Sequence, residues 1–469
     1  VNVGPFDDGS ADIPGGITGP VGRVLVVGAG IAGLTVANAL HTAGVDCTVF
    51  EARPRLGGRL HTLDLAGSPA DLGGSWLHHP SGNRLRRFAE AAGIECGPGD
   101  PMPTISTYDV ATARWLPDEA MATVLAGDPG AFAGALDALR HELGPGASAA
   151  EGIEAFLASS GLTGDARRRA AQGLRASVEA DAAGAAEDQS LRWLWTQEEF
   201  DDDFFGDLPR HGYVSVVDAM AAGLDVRLAS PVVGIALTDD GVTVSLRSGE
   251  QESGSHVIVA VPLGVLKSPS PTFTPPLPAE RTDLISRLGF GRYEKVLLRF
   301  ARPFWRDAGW SHLVVFPPEA SQPAVWIFDL DAFGHGPVLA CHVFHSGIPL
   351  VSEEWPTGAA DWATDLIGAV LGSPCPDPVA VAVTSWGEDP CSLGSYTHVT
   401  PDCSNADLDV LGTPVAGRIL FAGEHTQSAR VGYADGAMTS GIREAKRLLG
   451  LSAVTLSVEP AQPISVARV

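Results

Sequence analysis

Six cysteines (Cys47, Cys96, Cys341, Cys375, Cys391 and Cys403) are spread over 469 residues without one CxxC pair. That spacing argues against a zinc ribbon or a disulfide framework, so all six are read as reduced thiols. No run of eighteen apolar residues occurs, and no transmembrane helix is expected. The opening stretch VNVGPFDDGSADIPGG carries neither the basic n-region nor the apolar h-region of a secretory signal. A cytoplasmic location is therefore the expectation, with Val1 in place of a methionine leaving upstream processing open. Basic residues are scarce: 31 Lys and Arg stand against 56 Asp and Glu, a net charge of −25. Such a balance repels phosphates, so nucleic acid is not an expected partner, and it attracts cations. Solubility alone and a cationic small substrate both fit it. No repeat with a period of about 20 to 50 residues is apparent.

What is present is enough apolar content, 45%, to build real cores in two or three domains. Residues 1–22 are rich in Gly, Pro and Asp and read as a flexible lead-in. From Arg23 the pattern is β-α-β: an apolar run at 24–27, a glycine turn, a helical pattern from Ile31 to about Thr42, and a β-rich run from Cys47 to Phe50. The alanine-rich stretch from about 120 to 190 predicts helices, and VTVSLRS, HVIVAVP, EKVLLRF and VLACHVFH predict strands. The expected fold class is α/β with mixed elements, in two domains built from interleaved segments.

Gly28, Gly30 and Gly33 form GxGxxG between the first strand and the first helix, where backbone N–H groups and the positive helix end meet a pyrophosphate. Glu51 closes the second strand and is placed to accept hydrogen bonds from ribose hydroxyls. The continuation EARPRLGGR brings Arg53 and Arg59, with Gly57 and Gly58, to where a second phosphate contact and a close backbone approach are available. An NAD-dependent dehydrogenase would share the glycine motif, but not Arg59, Trp76 and the FAGEHT segment.

With DLGGSWLHHPSGN, HVIVAVPLGVLK, LGFGRYEKVLLRF and the run from SWGEDPCSLGSYT to ILFAGEHTQSARVGYADGAMTSGIREA, the chain resembles the flavin-containing amine oxidases. That family includes monoamine oxidases, polyamine oxidases and flavin-dependent histone lysine demethylases. The resemblance spans about residues 22–450 and is closest, in its motifs, to polyamine oxidases. It implies a Rossmann-like FAD-binding domain from segments 23–88, 210–290 and 385–450. It also implies a substrate domain from 89–209 and 291–384, with 451–469 as a tail. Gly74, Ser75 and Trp76 are implied cofactor contacts, as are Val232 (by its backbone, at the adenine), Trp386, Glu424, and Tyr433 with Ala434. Gly432 and Gly436 are read as letting the backbone pack against the isoalloxazine.

By the same resemblance, Tyr396 and Tyr433 form an aromatic cage around an amine, and Lys295 holds a water near the flavin's reactive nitrogen. His78 matches the histidine of the polyamine oxidase pattern SWIHG, with His79 in place of the glycine; His78 and Trp76 are implied to meet substrate. Ser395 stands where monoamine oxidases carry the flavin-linking cysteine, so non-covalent FAD is expected. The implied reaction passes a hydride equivalent from the neutral amine to flavin, the imine hydrolyses, and O2 is reduced to H2O2. L-Amino acid oxidases are disfavoured because no arginine replaces the GSWLHH pattern. Demethylases are disfavoured because no long charged heptad insertion is seen. Polyamines and aromatic or heterocyclic amines both remain, and a flavoprotein with a purely partner-binding role is the rival from another class. The acidic run at Glu198, Glu199, Asp201, Asp202 and Asp203 is either a polycation attractor or a solvated loop. His342 and His345 fall on opposite strand faces, so no metal site is expected with His335 and Cys341.

Overall fold

The computed structural model describes residues 2–7, 9, 15–97, 105–117, 129–197, 205–351 and 353–458. Two large sheets and two smaller groups of elements organise these residues. The first sheet is parallel, with strands in the order Ile419–Phe421, His256–Val259, Val24–Val27, Cys47–Phe50 and Asp225–Arg227. Val24, Leu25, Val26 and Val27 are all buried, as a central parallel strand covered on both faces requires. One face is covered by the helix Ile31–Thr42, on which the C-terminal helix Ala434–Leu449 packs. The two helices approach closely at Gly441, where a Cβ would stand 2.6 Å from the Ala32 carbonyl oxygen. On the other face lies a four-stranded sheet, Gln251–Gly254, Val242–Leu246, Val232–Leu237 and Thr272–Thr274, through a shared core of Phe50, Ile235, Val244 and Phe421.

The second large sheet has seven strands: Ala380–Val383, Tyr293–Arg299, Val338–Phe344, Val325–Asp329, His312–Phe316, Ile105–Asp109 and Arg114–Trp115. All its pairings are antiparallel except that of His312–Phe316 with Ile105–Asp109. The alanine-rich middle forms three helices, Pro129–Leu143, Ala149–Ser159 and Gly164–Ala182, around Phe132, Leu136, Ile153 and Leu174. The architecture is thus the α/β one expected, with a Rossmann-like parallel sheet beside a mixed sheet and helices. Among the described residues no helix is long and apolar enough to cross a membrane.

The lead-in departs from expectation. Asn2–Phe6 is a strand paired antiparallel with Val454–Ser457, and Phe6 is buried in the main core beneath the Arg87 guanidinium, 4.7 Å from its ring centroid. Composition missed it because the strand's partner lies at the opposite end of the chain. Residues 451–458, read as tail, supply that partner. The acidic residues 198–203 lie outside the described residues. Phe6→Ala is expected to cost about 3–5 kcal/mol, read as a lowered midpoint in denaturant unfolding; an unchanged midpoint would show that the terminal ribbon contributes nothing.

Candidate cofactor and substrate site

Each glycine of the first motif has a different physical reason. Gly28 has φ +107°, and a Cβ there would lie 2.7 Å from the Ala260 carbonyl oxygen. At Gly33 a Cβ would lie 2.0 Å from the Gly28 carbonyl oxygen. Gly30, the N-cap of Ile31–Thr42, has ordinary extended backbone (φ −78°) and nothing within 4 Å of where a Cβ would stand. Two glycines therefore serve the chain itself, while the third leaves open space at a helix N-terminus, where an anion is favoured. Gly58 (φ +59°) lies beside Gly30, where a Cβ would stand 3.5 Å from the Gly30 Cα. Glu51 is buried: Oε2 accepts from Ala29 N and Oε1 from Arg53 N, both at 2.8 Å. Each oxygen keeps one acceptor direction for a ribose hydroxyl.

Arg53 is held by the chain itself. Its Nη2 donates to Asp389 Oδ1 and to Ser392 Oγ, both at 2.8 Å. Arg59 Nη1 donates at 2.8 Å to both Ser395 O and Glu424 Oε1. Glu424 also accepts from Thr397 Oγ1 at 3.1 Å and from Gly432 N at 3.0 Å. Burial pushes the Glu424 carboxyl up, but Arg59 and its hydrogen bonds outweigh this and hold it below the usual range.

Lys295 lies on the strand Tyr293–Arg299, paired on both sides and so not at the sheet's edge. Its Nζ donates to Asp71 O (3.1 Å), Gly73 O (2.6 Å) and Ser75 Oγ (2.7 Å), which brings it to the DLGGS segment. Burial lowers its pKa to about 8 against the opposing attraction of Asp71. Gly74 is exposed there. Trp386 packs near Gly73 and donates from Nε1 to Leu72 O at 3.0 Å. Its backbone N and that of Gly387 donate to buried Glu294, on the strand face opposite Lys295.

The Tyr396 ring lies against Gly432 (φ +85°), where a Cβ would stand 3.3 Å from Cδ2. Its hydroxyl donates to Ala180 O, in the last turn of Gly164–Ala182. Tyr433 caps the C-terminal helix, and its hydroxyl reaches Asp181 of that same turn at 3.5 Å. His78 meets the Tyr433 ring edge-on, centroids 5.3 Å apart. Beneath Tyr433 lies Arg430, 1% exposed, its Cζ 4.1 Å from the ring centroid, paired with Asp435 at 3.0 Å. Sequence reasoning missed this Arg430–Asp435 pair, although both residues stand inside the quoted motif. Gly436 makes room for the Arg430 carbonyl oxygen, which would lie 1.9 Å from a Cβ there.

Trp76 sits edge-on to Phe205, Phe328 and Phe333 at 4.9–5.6 Å. Val232 opens the four-stranded sheet's strand Val232–Leu237, half-buried, and Ala434 is the first residue of the C-terminal helix. Tyr293 and His342, missed as a pair, share a hydrogen bond of 2.5 Å across neighbouring strands.

The residues present fit a flavin dinucleotide: an open space at Gly30, an exposed Gly74, and the Arg59–Glu424 pair, with the Arg59 carbonyl accepting from Gly74 N. A model of the family described as flavin containing amine oxidoreductase matches residues 31–449. The chain belongs to this family. Among curated relatives, polyamine oxidase 4 of Oryza sativa subsp. japonica is 30% identical over 91% of this chain and 89% of its own length. The lysine-specific histone demethylase 1 homolog 3 proteins of Arabidopsis thaliana and of Oryza sativa subsp. japonica are 30% and 32% identical. They match over 92% and 91% of this chain, which spans only 30% and 54% of their own lengths. A solved double mutant of putrescine oxidase shares the fold, with a TM-score of 0.73 at 22% identity, covering 92% of this chain and 100% of that one.

The glycine geometry separates two outcomes in this family member. Gly30→Val is expected to leave a folded protein that no longer retains flavin, because the added carbons enter the open space. Gly33→Val is expected to disrupt the fold itself. Circular dichroism and flavin absorbance after gel filtration measure both, and a yellow Gly30→Val protein would contradict the assignment.

Proposed function

We propose that this family member is an FAD-dependent amine oxidase acting at the C–N bond of an amine, with polyamines favoured. The imine product hydrolyses in water and O2 is reduced to H2O2. The supporting observation is the convergence of Tyr396, Tyr433 and Lys295 on Gly432 and the Gly73–Ser75 segment, tied together through Arg59 and Glu424. Bound flavin supplies the two-electron acceptor.

The chain's own groups bind, orient and dry the substrate. Tyr396 spends its hydroxyl on Ala180 O, so what it offers an amine is its ring, which attracts a cation and excludes water. Only a neutral amine has a usable lone pair, and an alkyl ammonium titrates near ~10.4, so desolvation among these rings must favour deprotonation. In this reading His78, which meets the Tyr433 ring edge-on, hydrogen-bonds a second amine. Lys295 presents its ammonium beside Ser75. FAD is held without a covalent bond in this reading. Ser395 Oγ accepts from Tyr293 N and donates to Tyr293 O, and burial raises the Cys391 thiol against the lowering pull of Arg53.

The aromatic cluster of Trp76, Phe205, Phe328 and Phe333 favours an aromatic or heterocyclic amine as the second reading. A methylated lysine side chain, as in the demethylase relatives, is less favoured. Among the described residues the longest helix is Gly164–Ala182, at 19 residues, too short for a tower-like insertion.

Anaerobic addition of spermine, spermidine, N-acetylated polyamines, benzylamine, a cyclic amine and an N-methyl-lysine peptide tests these readings. Bleaching by polyamines alone is expected; bleaching by none would leave a flavoprotein with a non-catalytic role. Lys295→Met is expected to keep flavin but slow its reduction or reoxidation roughly 10²-fold, the cost of removing one positioned donor; rapid mixing showing both half-reactions unchanged would contradict that role. Acid precipitation is expected to release the yellow colour, and a yellow pellet would mean a covalent link.

A further inference from the structure

Asp71 closes the strand Ser68–Asp71 and is buried. Its Oδ1 accepts from Thr62 Oγ1 at 2.5 Å and from Tyr213 N at 3.0 Å. Its Oδ2 is buried without a hydrogen-bond partner. Its backbone carbonyl is one of the three acceptors on Lys295 Nζ, with Gly73 O and Ser75 Oγ. Three acceptors match the three protons of an ammonium; a neutral amine would leave one unsatisfied. An ammonium enclosed this way is costly unless a counter-charge faces it.

Among the described residues the charged and titratable groups facing this pair are few. Asp71 faces Lys295 from its strand, and His342 faces it from Val338–Phe344, kept neutral by burial and then by Lys295 itself. Tyr213 faces Asp71 from the turn before Val214–Ala221, its hydroxyl pushed well up by burial. Among these groups Asp71 is the one whose negative charge acts on Lys295, and it reaches the ammonium directly through its backbone carbonyl.

We propose that Asp71 is the positioning residue of Lys295: its side-chain bonds to Thr62 and Tyr213 fix its own carbonyl against the Lys295 ammonium, and its carboxylate is the counter-charge that keeps that ammonium protonated. The proposal rests on the role given to Lys295 above only for its kinetic consequence. Burial, opposed by the Thr62 and Tyr213 hydrogen bonds and by Lys295, raises Asp71 from 3.8 to about 6. Burial, opposed by Asp71, lowers Lys295 from 10.5 to about 8. A folded-state pKa raised above the unfolded value means that the native protein binds the extra proton. Asp71 therefore lowers stability as pH rises from 3.8 to about 6. A depressed lysine pKa has the opposite sign, so stability rises between about 8 and 10.5.

The test is the pH dependence of thermal unfolding of the holoenzyme, as differences from wild type, for Asp71→Asn and Lys295→Met. Asp71→Asn is expected to abolish the acid limb and move the onset of the alkaline limb downward by about 1 to 3 pH units. Lys295→Met is expected to abolish the alkaline limb and extend the acid limb upward by the same amount, because coupling is reciprocal. The pH profile of amine-driven flavin reduction should shift in Asp71→Asn as the alkaline limb does. An alkaline limb unmoved in Asp71→Asn, or an acid limb unmoved in Lys295→Met, overturns the proposal. Should Asp71→Asn fail to fold, the Lys295→Met scan decides alone. If no amine reduces the flavin, the oxidase reading fails while the two stability limbs still decide whether Asp71 and Lys295 are coupled.

Discussion

Arg59 and Glu424, separated by 365 residues of chain, meet at 2.8 Å, and the candidate site hangs on that contact. Glu424 is buried, so leaving it without a cation would cost several kcal/mol. The pair is also a junction. Arg59 holds Ser395 O, next to Tyr396, and its own carbonyl accepts from Gly74 N. Glu424 holds Thr397 Oγ1, just after Tyr396, and Gly432 N, just before Tyr433. One ion pair therefore joins the glycine-rich turn, the Lys295 segment and both tyrosines.

A second clamp comes from the substrate side. Glu179, fully buried, accepts from Ser346 N at 2.9 Å and Ser346 Oγ at 2.8 Å, and His345 Nδ1 meets Ala183 O at 3.0 Å. Between them lie Ala180 O and Asp181, the groups that engage the tyrosine hydroxyls. Tyr396 and Tyr433 are thus placed from two directions, by Glu424 through the backbone and by the helix end through their hydroxyls. A rigid frame of this kind suits a site whose work is orientation.

Much of this was legible in the sequence. The β-α-β start, the helical middle and the strand on which Lys295 sits follow from local periodicity, which reports the buried face of an element. Periodicity does not report partners across the fold. Arg53 was read beside the phosphate contacts without sight of Asp389 and Ser392, which hold it from more than 330 residues away. The Tyr293–His342 bond depends on strand register, and Glu294 was invisible because its acceptors' donors come from the turn at Trp386. The strand Asn2–Phe6 was missed for the same reason, as its composition resembles a loop and its pairing is with the other end of the chain. The Arg430–Asp435 pair was the exception. Its spacing of five residues lay within a single motif, where an arginine and an aspartate of opposite charge flank Tyr433.

On this reading Arg59 and Glu424 act as one unit that holds cofactor and tyrosines together. A double-mutant cycle with Arg59→Gln, Glu424→Gln and the double variant, read by denaturant unfolding and by flavin retention, tests it most directly. A coupling energy within about 0.5–3 kcal/mol is expected, with single variants that lose flavin as fully as the double does. Additive losses, with flavin retained in either single variant, would contradict it.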